Sequence, residues 1–242
     1  MLTVAFLVGV AVVGFLAVEV GPLYAADRFR DLREPTDAER RRLTSLRETA
    51  GLGVERVAIE TDGATSDEGT RDGGASEETT ADEDGSDIGR VEVAVRGPPG
   101  RRVLFVTESV LDGLDEDVAT GLLAAEAGRV ETYYGEFRAV AIAAVLAILA
   151  AIVTVAVPFQ AGFASLVAVG VAAFWVGRRV QYAADARAAD AVGAERVADA
   201  FERVAAVRGV EPETGDWSTW FEVQPPLGDR IAALRERAED EN

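Results

Sequence analysis

From Ala139 to Gly177 the chain carries no charged residue, and this stretch rules out ordinary water-soluble packing for that part of the molecule. A helix rises about 1.5 Å per residue, so the stretch is too long for one crossing of a hydrocarbon core about 30 Å thick. Pro158, Gln160 and Gly162 interrupt it. The pattern predicts two membrane helices, 139–157 and 162–177, joined by a tight external turn. A second apolar run, from Leu2 to Val18 and on through Glu19 to Tyr24, predicts a third crossing. A signal peptide ending at Ala25-Ala26 is the alternative. Such peptides carry positive charge ahead of the apolar run, and none precedes Leu2. Glu19 lies near the cytoplasmic end of its run, where snorkelling makes a charge cheap, so it is not read as a working intramembrane carboxylate.

Arginine marks the sides of the membrane. Arg28, Arg30 and Arg33, then Arg40, Arg41 and Arg42, follow the first run. Arg138 and Arg178-Arg179 flank the later pair, and no arginine lies in its turn. Positive charge stays in the cytoplasm. Both arguments predict a multi-pass protein of the cell membrane with its amino terminus outside and its main domain and carboxy terminus cytoplasmic. Phe174 and Trp175 sit where aromatic residues mark the interface. The expected division is a transmembrane anchor (1–26), a first cytoplasmic part (27–137), a transmembrane hairpin (138–177) and a second cytoplasmic part (178–242).

Within the first cytoplasmic part, Asp37-Ala38-Glu39-Arg40 opens a charged helical run that Gly51-Leu52-Gly53 ends. Strands are expected at Val54–Ile59, Val91–Val95 and Arg102–Val106, the last two around Gly97-Pro98-Pro99-Gly100. Residues 61–87 are almost entirely Gly, Ser, Thr, Ala and acid, and a disordered acidic loop is expected there because nothing in them offsets chain entropy. Glu108–Phe137 reads as helix, with Asp115-Glu116-Asp117 favourably placed against the dipole of a helix start. Tyr182–Val207 reads as an alanine-rich helix, and a last helix follows Pro225-Pro226. Trp217, Trp220 and Phe221 are expected to pack against the membrane or the core, with a partner-binding patch as the alternative. The fold class is therefore an α+β membrane protein, with three transmembrane helices and a mostly helical cytoplasmic domain bearing a small β-sheet.

Composition removes whole classes of chemistry. The chain has no histidine, cysteine or lysine, and a formal net charge of −18. Thiolate metal sites, disulfides and thiol nucleophiles are excluded. Ser109 and Thr107 have no histidine or lysine to act as base, so neither is a nucleophile. Acid this abundant, with arginine as the sole cation, resembles proteins of salt-loving archaea. Such a surface repels phosphate, and no nucleic acid partner is expected.

One helical stretch carries the most specific pattern. Ala125-Glu126-Ala127-Gly128-Arg129 has the outline of H-E-x-x-H with only its carboxylate kept. It follows a strand and the segment Val106–Leu114. A membrane hairpin comes next, then Gln181-Tyr182-Ala183-Ala184-Asp185, and finally Gln224-Pro225-Pro226-Leu227-Gly228-Asp229-Arg230-Ile231. This ordered set resembles the M48 family of membrane-embedded zinc metallopeptidases, the HtpX and CAAX prenyl-protease group, from about residue 43 onward. In that family two histidines one helical turn apart bind zinc, and the intervening glutamate activates water. The resemblance places the ligand positions at Ala125 and Arg129, the third ligand at Gln181 within E-x-x-A-D, and a further family histidine at Gln224.

A methyl group, a cation and a neutral amide do not hold a transition metal, so no cofactor is expected and the family's zinc is read as lost. A magnesium-like ion on Asp185 and Gln181 is the lesser alternative. Glu126 and Asp185 are read as vestigial. Arg129 is expected in the old zinc position, in an ion pair with Glu126 and neutralised by Asp185 as well. The expected function is that of an inactive pseudopeptidase in the lipid bilayer, binding membrane-protein segments as an added strand or binding an active partner peptidase. An active metalloendopeptidase with an atypical site and a membrane scaffold without peptide binding are the alternatives.

Overall fold

The computed structural model describes residues 2–29, 32–61, 90–209 and 225–241. Most of the expected acidic loop, together with Trp217, Trp220, Phe221 and Gln224, lies outside them. In chain order the elements are α1 (Leu2–Phe29), β1 (Leu32–Arg33), α2 (Asp37–Thr49), β2 (Arg56–Glu60), β3 (Val93–Arg96) and β4 (Val103–Thr107). Then come α3 (Glu108–Asp112), α4 (Glu116–Glu131), α5 (Tyr134–Val153), α6 (Phe159–Val192), α7 (Ala194–Val207) and α8 (Leu227–Asp240). This is the α+β membrane architecture read from the sequence.

The sheet runs β1-β2-β4-β3. β3 and β4 form the hairpin expected around Pro98-Pro99, antiparallel with Val95 opposite Leu104. β2 lies parallel to β4, pairing Ala58 with Phe105. The two-residue β1 adds antiparallel to β2, and a strand so short carries no signal in the residue pattern. β4 sits inside the sheet with Leu104, Phe105, Val106 and Thr107 all buried, as suits a strand covered on both faces. Leu43 and Leu46 of α2, Val110 and Leu111 of α3, Leu123 of α4 and Val197 of α7 close the core around it.

Among the described residues three helices, with spans at Thr3–Gly21, Tyr134–Val153 and Phe159–Val192, are long and apolar enough to cross a membrane. Their outward residues, among them Val4, Val8, Val13, Phe163 and Val171, are more than half exposed. That is what residues facing lipid look like when bilayer is the solvent. Gly14 brings α1 against α5: a Cβ there would stand 2.8 Å from Leu146 Cδ1.

Several helix boundaries differ from the sequence expectation. The second hairpin helix does not end near Gly177; α6 continues unbroken through Arg178-Arg179 to Val192. Arginines mark where a helix meets water, yet they are good helix formers and stop nothing. Arg178 and Arg179 instead lie over the Phe174 and Trp175 rings, 4.9 and 6.0 Å from the centroids. The break comes at Gly193, with φ 93°, and α7 starts after it. The long helix expected over 108–137 is divided at Gly113 and again at Tyr133, where φ is 53°.

The first hairpin helix ends at Val153 rather than 157. The Ala156 N–H donates to the Ala151 carbonyl at 2.9 Å and the Val155 N–H to that of Ile152 at 3.0 Å. This is a Schellman close with Val155 in the left-handed region, φ 54°. A β-branched residue there is strained. Val155→Gly is therefore expected to raise unfolding stability by about 1 kcal/mol, read from thermal unfolding in detergent. A loss of stability would mean that the valine methyls hold the turn.

α2 is held by its amino-terminal cap. Thr36 and Glu39 form a reciprocal capping box, with the Thr36 N–H donating to Glu39 Oε2 at 2.7 Å. Arg33 bridges Glu39 and Glu108, both at 2.7 Å, tying β1 to α2 and α3. The Arg33 hydrogen bond is the largest influence on the Glu39 carboxyl and holds it at about 2, below an ordinary 4.5. A depressed carboxylate stabilises the fold above its unfolded value and loses that stabilisation as pH falls towards the folded one. Glu39→Gln is expected to cost about 1 kcal/mol near pH 6, modest because the pair is partly solvated. That gap should shrink between pH 4.5 and 2. Acid unfolding of both proteins measures it, and a gap independent of pH would exclude the ion pair as its origin.

Candidate functional site

α4 carries the residues of greatest interest, and it is buried on nearly every side. Small residues make that possible. A Cβ on Gly128 would stand 2.1 Å from the Ala184 carbonyl oxygen, so α4 and α6 touch backbone to backbone. A Cβ on Gly121 would stand 2.7 Å from Ala200 Cβ, which sets α4 against α7 in the same way. With α4 crossing α6 at Ala184, Arg129 lies within the field of Asp185 of α6, and Glu126 pairs with Arg129.

Arg129 Nη1 donates to Glu126 Oε1. The second oxygen, Glu126 Oε2, accepts from the Val95 N–H at 3.3 Å. β3 is an edge strand, and Val95 turns its N–H away from β4. Glu126, 7% exposed, therefore joins a guanidinium to the free edge of the sheet. The Glu126 charge foremost, and the Asp185 charge as well, hold the half-buried Arg129 guanidinium above its ordinary pKa, so it is cationic throughout the accessible range.

Asp185 has a different partner from the one expected. Arg230 of α8 binds it through Nε to Oδ2 at 2.7 Å and Nη2 to Oδ1 at 2.6 Å. Both side chains are buried, and the Arg230 guanidinium lies 4.4 Å from the Phe201 ring centroid. Asp185 reaches Arg129 only through its field, while its oxygens go to Arg230. Gln181 Nε2 donates to Asp185 Oδ1 at 3.4 Å. Gln181 Oε1 is buried without a partner among the described residues.

The sequence did not single out Arg230, Phe201 or the Val95 N–H. Arg230 follows Pro225-Pro226 in the closing motif, but one arginine in a charged terminal helix gives no sign of burial. Backbone donors leave no mark in a sequence at all.

The donor set decides what the junction can hold. Ala125 ends in a methyl group, Arg129 brings a permanent cation, and Gln181 offers one amide oxygen. Among the described residues no three carboxylates gather as a metal cage would need. Zinc needs about four lone-pair donors at about 2.0–2.3 Å, and these residues do not supply them. The side chains present do not fit the ion, and no metal-dependent step follows from them. Each Glu126 oxygen accepts one hydrogen bond, one from Arg129 and one from the Val95 N–H.

Beside this junction lies a cavity of about 550 Å³. Its walls are β3, α4, the start of α5, and Val18-Glu19 of α1.

No protein-family model and no curated protein matches the chain. Among solved structures, the fold is similar to the crystal structure of S. mikatae Ste24p, with a TM-score of 0.63 and 15% sequence identity. The alignment covers 97% of this chain and 58% of that one, so this chain spans little more than half the length of its structural neighbour. At that identity the likeness is one of fold. It extends to the membrane helices and the domain beside them together, since nearly all of this chain takes part.

Proposed function

We propose that this chain is a membrane-embedded pseudopeptidase, peptidase-like in fold and without metal-dependent catalysis, that binds extended segments of membrane proteins or a partner peptidase. The observation that carries the reading is the occupancy of the junction. Arginine stands one helical turn from alanine, and the glutamate between them is held by Arg129 and by the Val95 N–H. A protein hydrolase needs an activated water there, and the donors for one are missing.

Binding is supported by β3, which ends the sheet and lines the 550 Å³ cavity. Extended chains add to such edges through main-chain hydrogen bonds, with side chains taken alternately by pockets. The edge is guarded: besides Glu126 on Val95, Arg208 Nη2 donates to the Val91 carbonyl at 2.9 Å. An incoming segment has to displace both. On this reading the protein is a multi-pass protein of the cell membrane, with its amino terminus outside and its domain in the cytoplasm, supported by arginines at Arg138, Arg178 and Arg179.

Metal analysis of the purified full chain tests the reading. Wild type is expected to carry far less than one zinc per chain and to leave an unfolded membrane-protein substrate intact. The triple variant Ala125→His, Arg129→His, Gln181→Glu is expected to retain about one zinc, because it supplies three ligands at family spacing. Stoichiometric zinc in wild type, or chelator-sensitive cleavage lost in Glu126→Gln, would establish an active peptidase instead. In native membranes, photo-crosslinking from Val93 is expected to capture membrane-protein segments or a peptidase. Crosslinks to lipid alone would leave a scaffold role.

A further inference from the structure

The cavity beside β3 differs in charge from the rest of the molecule. The chain as a whole carries −18, yet the cavity is lined by six arginines against four glutamates. Most of these charges are paired: Arg102 with Glu136, Arg129 with Glu126, and Arg90 with Glu92. Arg96 approaches Glu92 only to 4.0 Å. Among the described residues, Arg138 and Arg208 have no carboxylate within salt-bridge distance, and the described partner of Arg208 is the neutral Val91 carbonyl. Among the described residues Arg129 Nε is also buried without a partner. The cavity thus has surplus positive charge and unused donors.

Its position narrows the ligand. Val18 and Glu19 close the apolar span Thr3–Gly21, and Tyr134 to Arg138 open the span Tyr134–Val153. Two of the walls are the ends of membrane helices, so the cavity lies at the depth of lipid headgroups. At about 550 Å³ it has the size of a small-molecule site rather than of a lone phosphate ion. We propose that this cavity binds the phosphate of an anionic membrane lipid, with Arg138 and Arg208 as its principal charged contacts. Guanidinium groups suit phosphate oxygens through paired N–H donors. Arg138 faces Glu19 and Glu136 from α1 and α5, and Arg102 is spent on Glu136. The surplus is therefore small, and it suits the single charge of a phosphodiester. β3 lines this same cavity, so a lipid here and a strand added to β3 would compete, but the charge argument does not rest on peptide binding.

The full chain in a neutral detergent, titrated with dihexanoyl phosphatidylglycerol, tests it by calorimetry. One saturable site is expected, on the order of tenfold tighter than for dihexanoyl phosphatidylcholine. The double variant Arg138→Gln, Arg208→Gln is expected to weaken it on the order of tenfold, and the double lysine variant to restore part of that loss. If the double glutamine variant fails to fold, Arg208→Gln alone keeps the test, since it lies outside the spans. Equal binding by variant and wild type, or by the zwitterionic lipid, would overturn the proposal. So would inorganic phosphate binding as tightly as the lipid, which would assign the cavity to a soluble anion. Displacement of the lipid by a glutamate-rich peptide at lower concentration would assign it to acidic protein segments.

Discussion

Gly128→Ala is expected to destabilise the protein by about 3 kcal/mol, although alanine is the better helix former by about 1 kcal/mol. The reason is position. The new methyl would stand 2.1 Å from the Ala184 carbonyl oxygen and 2.9 Å from its carbonyl carbon. Both are backbone atoms of α6, which cannot step aside as a side-chain tip can. Either α4 moves off α6, or both helices bend. Each response opens voids around Ala125, Ala188 and Ala189, which are all less than 5% exposed.

Gly135→Ala is the internal control. It lies in the first turn of α5, where a Cβ would meet nothing within 4 Å, so it is expected to be neutral or slightly stabilising. Thermal or denaturant unfolding in detergent compares the two. If Gly128→Ala matched Gly135→Ala, α4 and α6 would not touch as described, and the nearness of Arg129 to Asp185 would fail with that contact. Gly121→Ala, with a Cβ 2.8 Å from the Arg196 carbonyl oxygen, should fall between them.

The membrane helices were legible because uncharged stretches leave a chain few options. The β3–β4 hairpin was legible because alternating strands flank Gly97-Pro98-Pro99-Gly100. Helix ends were legible only where glycine supplies the left-handed residue. Gly51, φ 71°, closes α2 where expected, whereas Tyr133 and Val155 take the same conformation without glycine to mark it. The boundary at Gly193 was missed for the opposite reason: arginines at 178 and 179 suggested an end that the backbone ignores. At the site, the i, i+3 spacing put Glu126 and Arg129 on one face, and the structure places them in contact. The partner of Asp185 was not legible, because Arg230 lies 45 residues away and only the docking of α8 brings it near.

That docking leads to the second large effect. Arg230→Met is expected to cost about 3–5 kcal/mol, because it leaves the Asp185 carboxylate, 4% exposed, without its counter-charge. Surface arginines on the same helix set the scale. Arg235 reaches Asp199 and Glu202, and Arg237 reaches Asp190, on partners that are about half exposed. Replacing either by alanine is expected to cost about 1 kcal/mol or less. The double variant Asp185→Leu, Arg230→Met removes both buried charges and fills their space with apolar atoms, so it should regain most of the loss. It will not regain all of it. Gln181 Nε2 loses its acceptor and the Phe201 ring loses the guanidinium over its face. A double-mutant cycle by denaturant unfolding, with hydrogen exchange across α8, separates these contributions. If Arg230→Met cost no more than Arg235→Ala, the pair would be solvated, α8 would be loosely held, and the junction between α4 and α6 would be open to water on that side.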